Sequence, residues 1–306
     1  MPRSRRVLSL VAAVLTVAAA LAYPSGPAFT AGSRVLAPVF SDIQGSAGEF
    51  ELSALGALGV FSGDSGLGGP VRPRDPITRD EFCKVVVEAT GKTGIAASLA
   101  SLRPLYTDAD KIPPWAWGYV NAALMMGVVD ANPYGDGAFR PDSLVTYAEG
   151  VTMVVRGVPS HDAWVPEGQW PSNYLAYAGA HGFLAGVDMS SPNAPCSRGD
   201  MAALLLASMR VNRRDPFGAE TPDSAVLKGR VFSAVLLDYS VGESVNIMVL
   251  DYNGDGLADV EEYLNLAPRV GLGLASSLEG LKGHRVTAMT GVGETADLVV
   301  FVGAGG

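Results

Sequence analysis

Sulfur and positive charge are what this chain has least of. Its 306 residues contain two cysteines, Cys83 and Cys196. No disulfide framework can staple such a fold, so the two either form one bridge or sit as small buried apolar side chains. Charged residues make up only 17% of the chain, and 31 acidic residues outweigh 22 basic ones for a formal charge of −9. Nucleic acid and anionic membrane surfaces need basic patches, so this balance argues against both as partners. Past the N-terminus no apolar stretch reaches the ~20 residues of a membrane span without a charge or a proline. Disorder is also excluded, because apolar residues are plentiful (48%) and charge is modest.

The N-terminus stands apart from fold reasoning. Arg3, Arg5 and Arg6 precede the apolar run from Val7 to Leu21, and Ala20-Leu21-Ala22 supplies small residues for cleavage. Residues 1–22 are expected to be a signal peptide, so the mature protein is exported and spans no membrane. Removing the three arginines leaves 19 basic residues against 31 acidic ones and takes the charge to −12. Residues 23–38 are expected to be a flexible lead-in.

What is present is a repeat. Asp75-Pro76-Ile77-Thr78-Arg79-Asp80-Glu81-Phe82 returns as Val145-Thr146-Tyr147-Ala148-Glu149 and as Ala194-Pro195-Cys196-Ser197-Arg198-Gly199-Asp200-Met201. Each copy opens a helical pattern, with Phe82, Val85, Val86 and Ala89 at i, i+3, i+4 and i+7, and Met201, Leu204, Leu205 and Ser208 repeating that stripe. An earlier helix in each unit ends at Gly59-Val60-Phe61, Gly127-Val128-Val129 or Gly182-Phe183-Leu184, where glycine supplies the C-cap. Phe40-Ser41-Asp42 and Tyr106-Thr107-Asp108 open the first two units, and Val71-Arg72-Pro73 matches Phe139-Arg140-Pro141. The spacing gives units at 39–92, 105–158 and 159–211, with linkers at 93–104 and 212–224. Units of this kind must stack to bury a core.

Ser/Thr-x-x-Glu is a capping box. Thr78 with Glu81 and Thr146 with Glu149 fit it, and Ser197 with Asp200 fits it less well because aspartate is short. Capping leaves arginine unexplained: Arg79 and Arg198 fall in a first helical turn, where the macrodipole disfavours cations by about 0.3–1 kcal/mol. An arginine beside free helix N–H groups suits an anionic ligand. The structural alternative is an arginine paired to an acid of the neighbouring unit, and the residues by themselves leave both open.

The segment from Val39 to Val211 resembles three tandem S-layer homology (SLH) repeats. The resemblance rests on the aromatic-x-Asp starts, the Gly-apolar-apolar stops, the Phe-x-Pro turn and the apolar-Thr-Arg-Ala-Glu motif. It implies a mainly α-helical, pseudo-trimeric spindle. It also implies non-covalent anchoring on the bacterial cell surface, in the wall or S-layer, through a peptidoglycan-associated, wall-linked anionic secondary polysaccharide that often carries pyruvate ketals. Grooves between repeats would bind that polymer, with Thr78, Arg79, Glu81 and Arg198 as contacts and Arg79 and Arg198 supplying the charge. Tyr147 departs from the family arginine, so its groove is expected to be weak or structural, with the ring free to stack on a sugar. The third unit lacks the aromatic-x-Asp start and the Phe-x-Pro turn. Trp115, Trp117, Trp164 and Trp170 are either sugar platforms or core residues.

From residue 225 the pattern changes period. Val231 to Leu236, Ser244 to Leu250, His284 to Met289 and Ala296 to Val302 are β-prone, so 225–303 is expected to be a small all-β barrel or a strongly curved sheet, making the whole an α+β multidomain chain. Asp251, Asn253, Asp255, Asp259 and Glu262, with Gly256, fit calcium-loop spacing. Asn-Gly and Asp-Gly are equally the dipeptides of a tight hairpin, which the β-prone flanks favour. No cofactor follows with certainty, and Ca2+ is the candidate. The β segment holds one histidine and neither a Gly-x-Ser-x-Gly elbow nor a His-Glu-x-x-His site. The expectation is therefore a non-enzymatic anchor. Its alternatives are a wall-active, glycosidase-like enzyme carried by the same repeats, or a calcium-dependent assembly module that meets other surface-layer proteins.

Overall fold

The computed structural model describes residues 40–66, 68–158, 161–187, 189, 191–209, 211, 213–214, 220–221, 229–241, 246–251, 254–258, 260–264, 282–283, 285–291 and 298–302. The expected signal peptide and lead-in lie outside the described residues. Seven helices are described: α1 (Glu49–Ala57), α2 (Arg79–Ala89), α3 (Thr93–Leu99), α4 (Trp117–Met125), α5 (Tyr147–Gly157), α6 (Ser172–Ala180) and α7 (Arg198–Ser208). Two 3-10 turns, Pro114–Ala116 and Asp162–Trp164, precede α4 and α6.

Three of these helices stop in the same way. Gly59, Gly127 and Gly182 follow α1, α4 and α6 with φ of 68°, 73° and 80°, the left-handed region that glycine enters without a Cβ clash. One residue further on, the N–H turns back into the helix: Val60 donates to Leu55, Val128 to Ala123 and Phe183 to Ala178. That six-to-one bond turns the chain sharply and drops Val60, Val128 and Phe183 into the core.

Three more, α2, α5 and α7, run 11 residues each from an extended N-cap at Thr78, Thr146 or Ser197. Their apolar stripes are buried: Phe82, Val85, Val86 and Ala89 on α2, Val151, Val154 and Val155 on α5, and Met201, Leu204 and Leu205 on α7. Each large side chain so buried contributes roughly 1.5–3 kcal/mol. The short helix of one unit packs on the long helix of another: α4 on α2, α6 on α5, and α1 on α7.

Just before the long helices the chain joins itself in a circle. The Ile77 amide donates to the Cys196 carbonyl (3.1 Å), the Cys196 amide to Val145 (2.8 Å) and the Val145 amide to Ile77 (3.0 Å). Isolated bridges flank this cycle at Pro76 with Ser197, Thr78 with Leu144 and Thr146 with Pro195. All three central side chains are buried, so the amides have no water to turn to and satisfy one another.

Two segments read as linkers hold structure. Within 93–104, α3 lays buried Ala96 and half-buried Ile95 and Leu99 against the core and packs on α4. Buried Glu88 ties these elements together, accepting from Tyr119 Oη on α4 (2.7 Å) and from Thr93 Oγ1 on α3 (2.8 Å). The pattern was missed because α3 is only seven residues long, with Gly94 and small alanines leaving little periodicity. Within 212–224, β1 (Arg213–Arg214) pairs with β2 (Glu220–Thr221).

Five longer strands follow: β3 (Gly229–Val241), β4 (Asn246–Asp251), β5 (Val260–Leu264), β6 (Arg285–Gly291) and β7 (Leu298–Val302). They form an antiparallel sheet in the order β5-β4-β3-β6-β7, with long β3 at its centre and a register shift between Leu236 and Asp238. Among the described residues β5 and β7 are edges and do not close on each other, so of the barrel or strongly curved sheet expected for 225–303 the described strands form an open sheet. No helix among the described residues is long and apolar enough to cross a membrane.

The α3–α4 contact is tight at Gly118, where an added Cβ would lie 2.1 Å from the Ala96 carbonyl oxygen. Because that neighbour is backbone, Gly118→Ala is expected to push α3 outward and cost about 1–3 kcal/mol, read as a lower urea midpoint.

Candidate functional site

The motif side chains crown the amide cycle. Glu149 uses both carboxylate oxygens: Oε2 accepts from the Thr146 amide and hydroxyl (3.0 Å each), completing the capping box, while Oε1 accepts from Arg79 Nη2. Glu81 Oε2 accepts from the Thr78 amide (3.3 Å) and from Arg198 Nη1 (2.9 Å). Asp200 Oδ2 accepts from the Ser197 hydroxyl and from Tyr147 Oη, each at 2.5 Å. Thus Arg79 reaches the acid of the second motif, Tyr147 that of the third, and Arg198 that of the first. The capping acid and the second motif residue are two parts of one device. Of the two readings left open for arginine, the pair with an acid of the neighbouring unit is what the structure contains.

The three contacts are unequal. Arg198 is anchored twice, since Nε also donates to the Val71 carbonyl (2.8 Å). Arg79 is 5% exposed, and its Nε has no partner among the described residues. Tyr147 is buried, so its ring is no sugar platform: the phenol replaces the arginine within the ring of pairs. The residue after each of these sets the local packing. Asp80 is buried and accepts from the Thr78 hydroxyl (2.6 Å) and the Glu81 amide (2.8 Å), holding the third-position amide that the N-cap hydroxyls of Thr146 and Ser197 accept in the other two motifs. Gly199 lies where a Cβ would sit 2.9 Å from the Ala47 carbonyl, which accounts for glycine in the third motif.

The aromatic-x-Asp starts explain the Val/Phe-x-Pro turns. Asp42 accepts from the Val71 and Arg72 amides (2.8 and 2.7 Å), and Asp108 from the Phe139 and Arg140 amides (2.7 and 2.8 Å). Arg72 and Arg140 are held at φ of 54° and 59°, a region non-glycine residues rarely adopt. Each guanidinium then meets a loop acid: Arg72 with Asp64 (3.0 Å) and Arg140 with Asp136 (2.9 Å).

Sequence reasoning passed over Tyr134. Its hydroxyl accepts from Arg79 Nη2 and donates to Glu149 Oε1 (3.0 Å), and its ring lies beneath Arg140, 3.9 Å from the guanidinium carbon. The signal available was a lone aromatic in a loop of Asn, Gly, Pro and Asp. Of the tryptophans, Trp115 and Trp170 are half exposed, at 51% and 50%. Trp170 Nε1 donates to Thr152 Oγ1 (3.0 Å), and half-buried Trp117 donates to the Ile112 carbonyl (2.9 Å). The 3-10 turn carrying Trp115 packs on α2, whose first residue is Arg79.

In the β segment Asp251 is buried at the end of β4 and accepts from the Gly254 and Gly256 amides (2.6 and 2.8 Å), drawing the turn together. Asp255 accepts from the Leu257 amide (2.8 Å). Asn253, Asp259 and the side chain of Glu262 lie outside the described residues. Among those described, no three His, Cys, Asp or Glu side chains are grouped to hold a metal. Cys83 and Cys196 are both buried free thiols, so the single bridge left open by the sequence is not formed.

Residues 105–149 match the S-layer homology domain. Those residues carry the second aromatic-x-Asp start, the Gly127 stop, Tyr134 and the second motif. The chain is similar to the middle cell wall protein of Brevibacillus brevis, at 34% identity over 164 residues, 54% of this chain and 15% of that protein. It is also similar to the surface layer protein of Brevibacillus choshinensis, at 28% identity over 283 residues, 92% of this chain and 23% of the relative. A third relative is the cell surface protein of Thermoanaerobacter kivui, at 28% identity over 227 residues, 69% of this chain and 28% of that protein. The chain spans less than a third of each. These likenesses give it a secreted, cell-wall or surface-layer location, and none of the three names is that of an enzyme.

Two outcomes follow from burial. Desolvation pushes the Cys83 and Cys196 thiols up to about 12. A thiol reagent at pH 8 is expected to modify neither in the native protein and both after denaturation without reductant. Burial first, and then the charges of Glu81 and Asp142, raise the Asp80 carboxyl above its ordinary 3.8, against the lowering by its two hydrogen bonds. A raised folded value favours the native state below 3.8, and that advantage is lost as pH rises through the folded value. Asp80→Asn, which keeps the accepting oxygen, is therefore expected to melt higher than wild type at pH 7, with the gain shrinking towards pH 3.8.

Proposed function

We propose that the helical part of this chain is three SLH repeats closed in a pseudo-trimeric arrangement, and that it holds the protein non-covalently on the cell surface. The polymer bound is a wall-linked anionic secondary polysaccharide, with pyruvate-ketal carboxylates as the charged groups recognised. The SLH match over 105–149 and the wall and surface-layer relatives support the anchoring role. The cyclic amide bonds at Ile77, Cys196 and Val145 support the three-part arrangement.

Arg79 is the charged contact in this reading. The observation that carries it is the buried Nε without a partner, an unmet donor whose desolvation costs about 1–3 kcal/mol unless an acceptor arrives. A carboxylate taking Nε and Nη2 together would form the two-pronged, charge-assisted contact that arginine geometry favours. Half-exposed Trp115, on a turn packed against α2, offers a face for a sugar ring. Arg198 has Nε and Nη1 engaged within the protein and serves the fold.

Sedimentation of the protein with purified sacculi, carrying or stripped of the accessory polysaccharide, tests this. Wild type is expected to sediment only with the polysaccharide, and Arg79→Ala to weaken binding about tenfold or more, equivalent to about 1.4 kcal/mol. Arg198→Ala is expected to lose about 1.5–3 kcal/mol of stability yet bind as wild type below its lowered melting point. Wild type remaining in the supernatant with both walls would overturn anchoring. Equal loss in both folded variants would overturn the assignment to Arg79.

A further inference from the structure

Arg79 is buried, and Tyr134 lies against its guanidinium. The Tyr134 ring lies between Arg140, whose guanidinium carbon is 3.9 Å from its centroid, and Arg79, at 4.9 Å. Its phenol oxygen accepts from Arg79 Nη2, and its O–H donates to Glu149 Oε1. Neither partner depends on the loop of Tyr134 for its position. Arg79 begins α2 and Glu149 is fixed by its capping box. Arg140 is aimed by its left-handed backbone, which the Asp108 carboxylate holds, and steadied by Asp136.

The other arginine of the ring shows what is particular here. Against Arg198, the corresponding loop of the first unit presents a backbone oxygen, Val71 O, which Nε takes. That loop, from Gly63 to Val71, contains no aromatic residue. Against Arg79, the second unit presents a phenol that engages Nη2 and leaves the buried Nε without a partner. A neutral phenol is the weaker acceptor. A carboxylate oxygen makes a charge-assisted bond roughly twice as strong and brings a second oxygen for Nε.

We propose that Tyr134 is a displaceable, specificity-setting cover on Arg79: its phenol fills the place of one acidic oxygen, and a carboxylate-bearing saccharide enters by replacing it. An uncharged sugar cannot offer both oxygens and does not dislodge the phenol. The cover thereby converts a general sugar groove into one selective for acidic saccharides. This rests on the reading of Arg79 as the polymer contact and adds the residue that controls access to it.

The test is calorimetric titration of the full chain, in wild-type, Tyr134→Phe and Arg79→Ala forms, with a synthetic pyruvate-ketal hexoside and its uncharged ethylidene counterpart. Tyr134→Phe keeps the ring under Arg140 and removes only the competing oxygen. It is expected to bind the ketal acid at least threefold more tightly than wild type, and to bind the uncharged sugar no better. If the phenylalanine variant does not fold, Tyr134→Leu clears the same oxygen and is expected to show the same direction. With 3-fluorotyrosine at position 134, the 19F resonance is expected to shift on adding the ketal acid and to stay fixed with the uncharged sugar. Unchanged or weaker affinity in Tyr134→Phe, with Arg79→Ala abolishing binding, overturns the cover and leaves Arg79 as the contact. No binding of the ketal acid by wild type and Tyr134→Phe alike overturns both.

Discussion

Three backbone amides tie the helical part of this molecule together. Ile77, Cys196 and Val145 each donate to the next around a closed cycle, in a place too dry for water to stand in. An unmet amide there costs about 1–3 kcal/mol, so no one of the three chain segments can leave without stranding the others. Everything above and below the cycle is arranged by it. Below, the long helices α2, α5 and α7 start side by side and share one apolar core. Above, their N-caps converge, so a capping acid from one segment lies within reach of the arginine or tyrosine of another.

That convergence gives the motif its double duty. A glutamate at the third helical position would be useful in any isolated helix, where it caps. Here its second oxygen also joins two segments, as Glu149 does for Arg79. Closing the circle requires three acceptors and three donors but not three charges. Tyr147 supplies a phenol where Arg79 and Arg198 supply guanidinium groups. Asp200 can stand in for glutamate because the partner brought to it, Tyr147, reaches it at 2.5 Å. The departures from the repeat pattern are therefore compatible with an intact fold, and they make the three contacts chemically different. One arginine has Nε and Nη1 engaged, one phenol is buried, and one arginine has an Nε without a partner among the described residues.

The connecting turns add a second constraint. Asp42 and Asp108 hold two amides each, and so hold Arg72 and Arg140 in a backbone region that costs a residue with a Cβ on the order of 1 kcal/mol. A flexible surface arginine becomes a directed one. In the second turn it stacks on Tyr134 and so connects the exposed loop to the buried Arg79.

Much of this was legible in the order of residues, for a local reason. Helix stops at Gly59, Gly127 and Gly182 depend on backbone sterics within five residues, and the apolar stripes of α2 and α7 depend on a 3.6-residue period. The Thr146–Glu149 box needs no partner beyond its own turn, and the β-prone runs marked β3, β4, β6 and β7, though not β5. Local rules were silent on α3, which is too short to show a period and is held by Glu88 and by contact with Gly118. They also could not choose between a ligand and an internal acid for Arg79 and Arg198, because Glu149 lies 70 residues from Arg79 and Glu81 lies 117 from Arg198. Tyr134 carried no pattern at all. The sequence by itself determined the helix stops, the helix caps and the shift to β structure, since those follow from near-neighbour sterics and periodicity. Only the tertiary structure decided which acid each arginine meets, and which arginine keeps a free donor, because the amide cycle sets those distances between segments far apart in the chain.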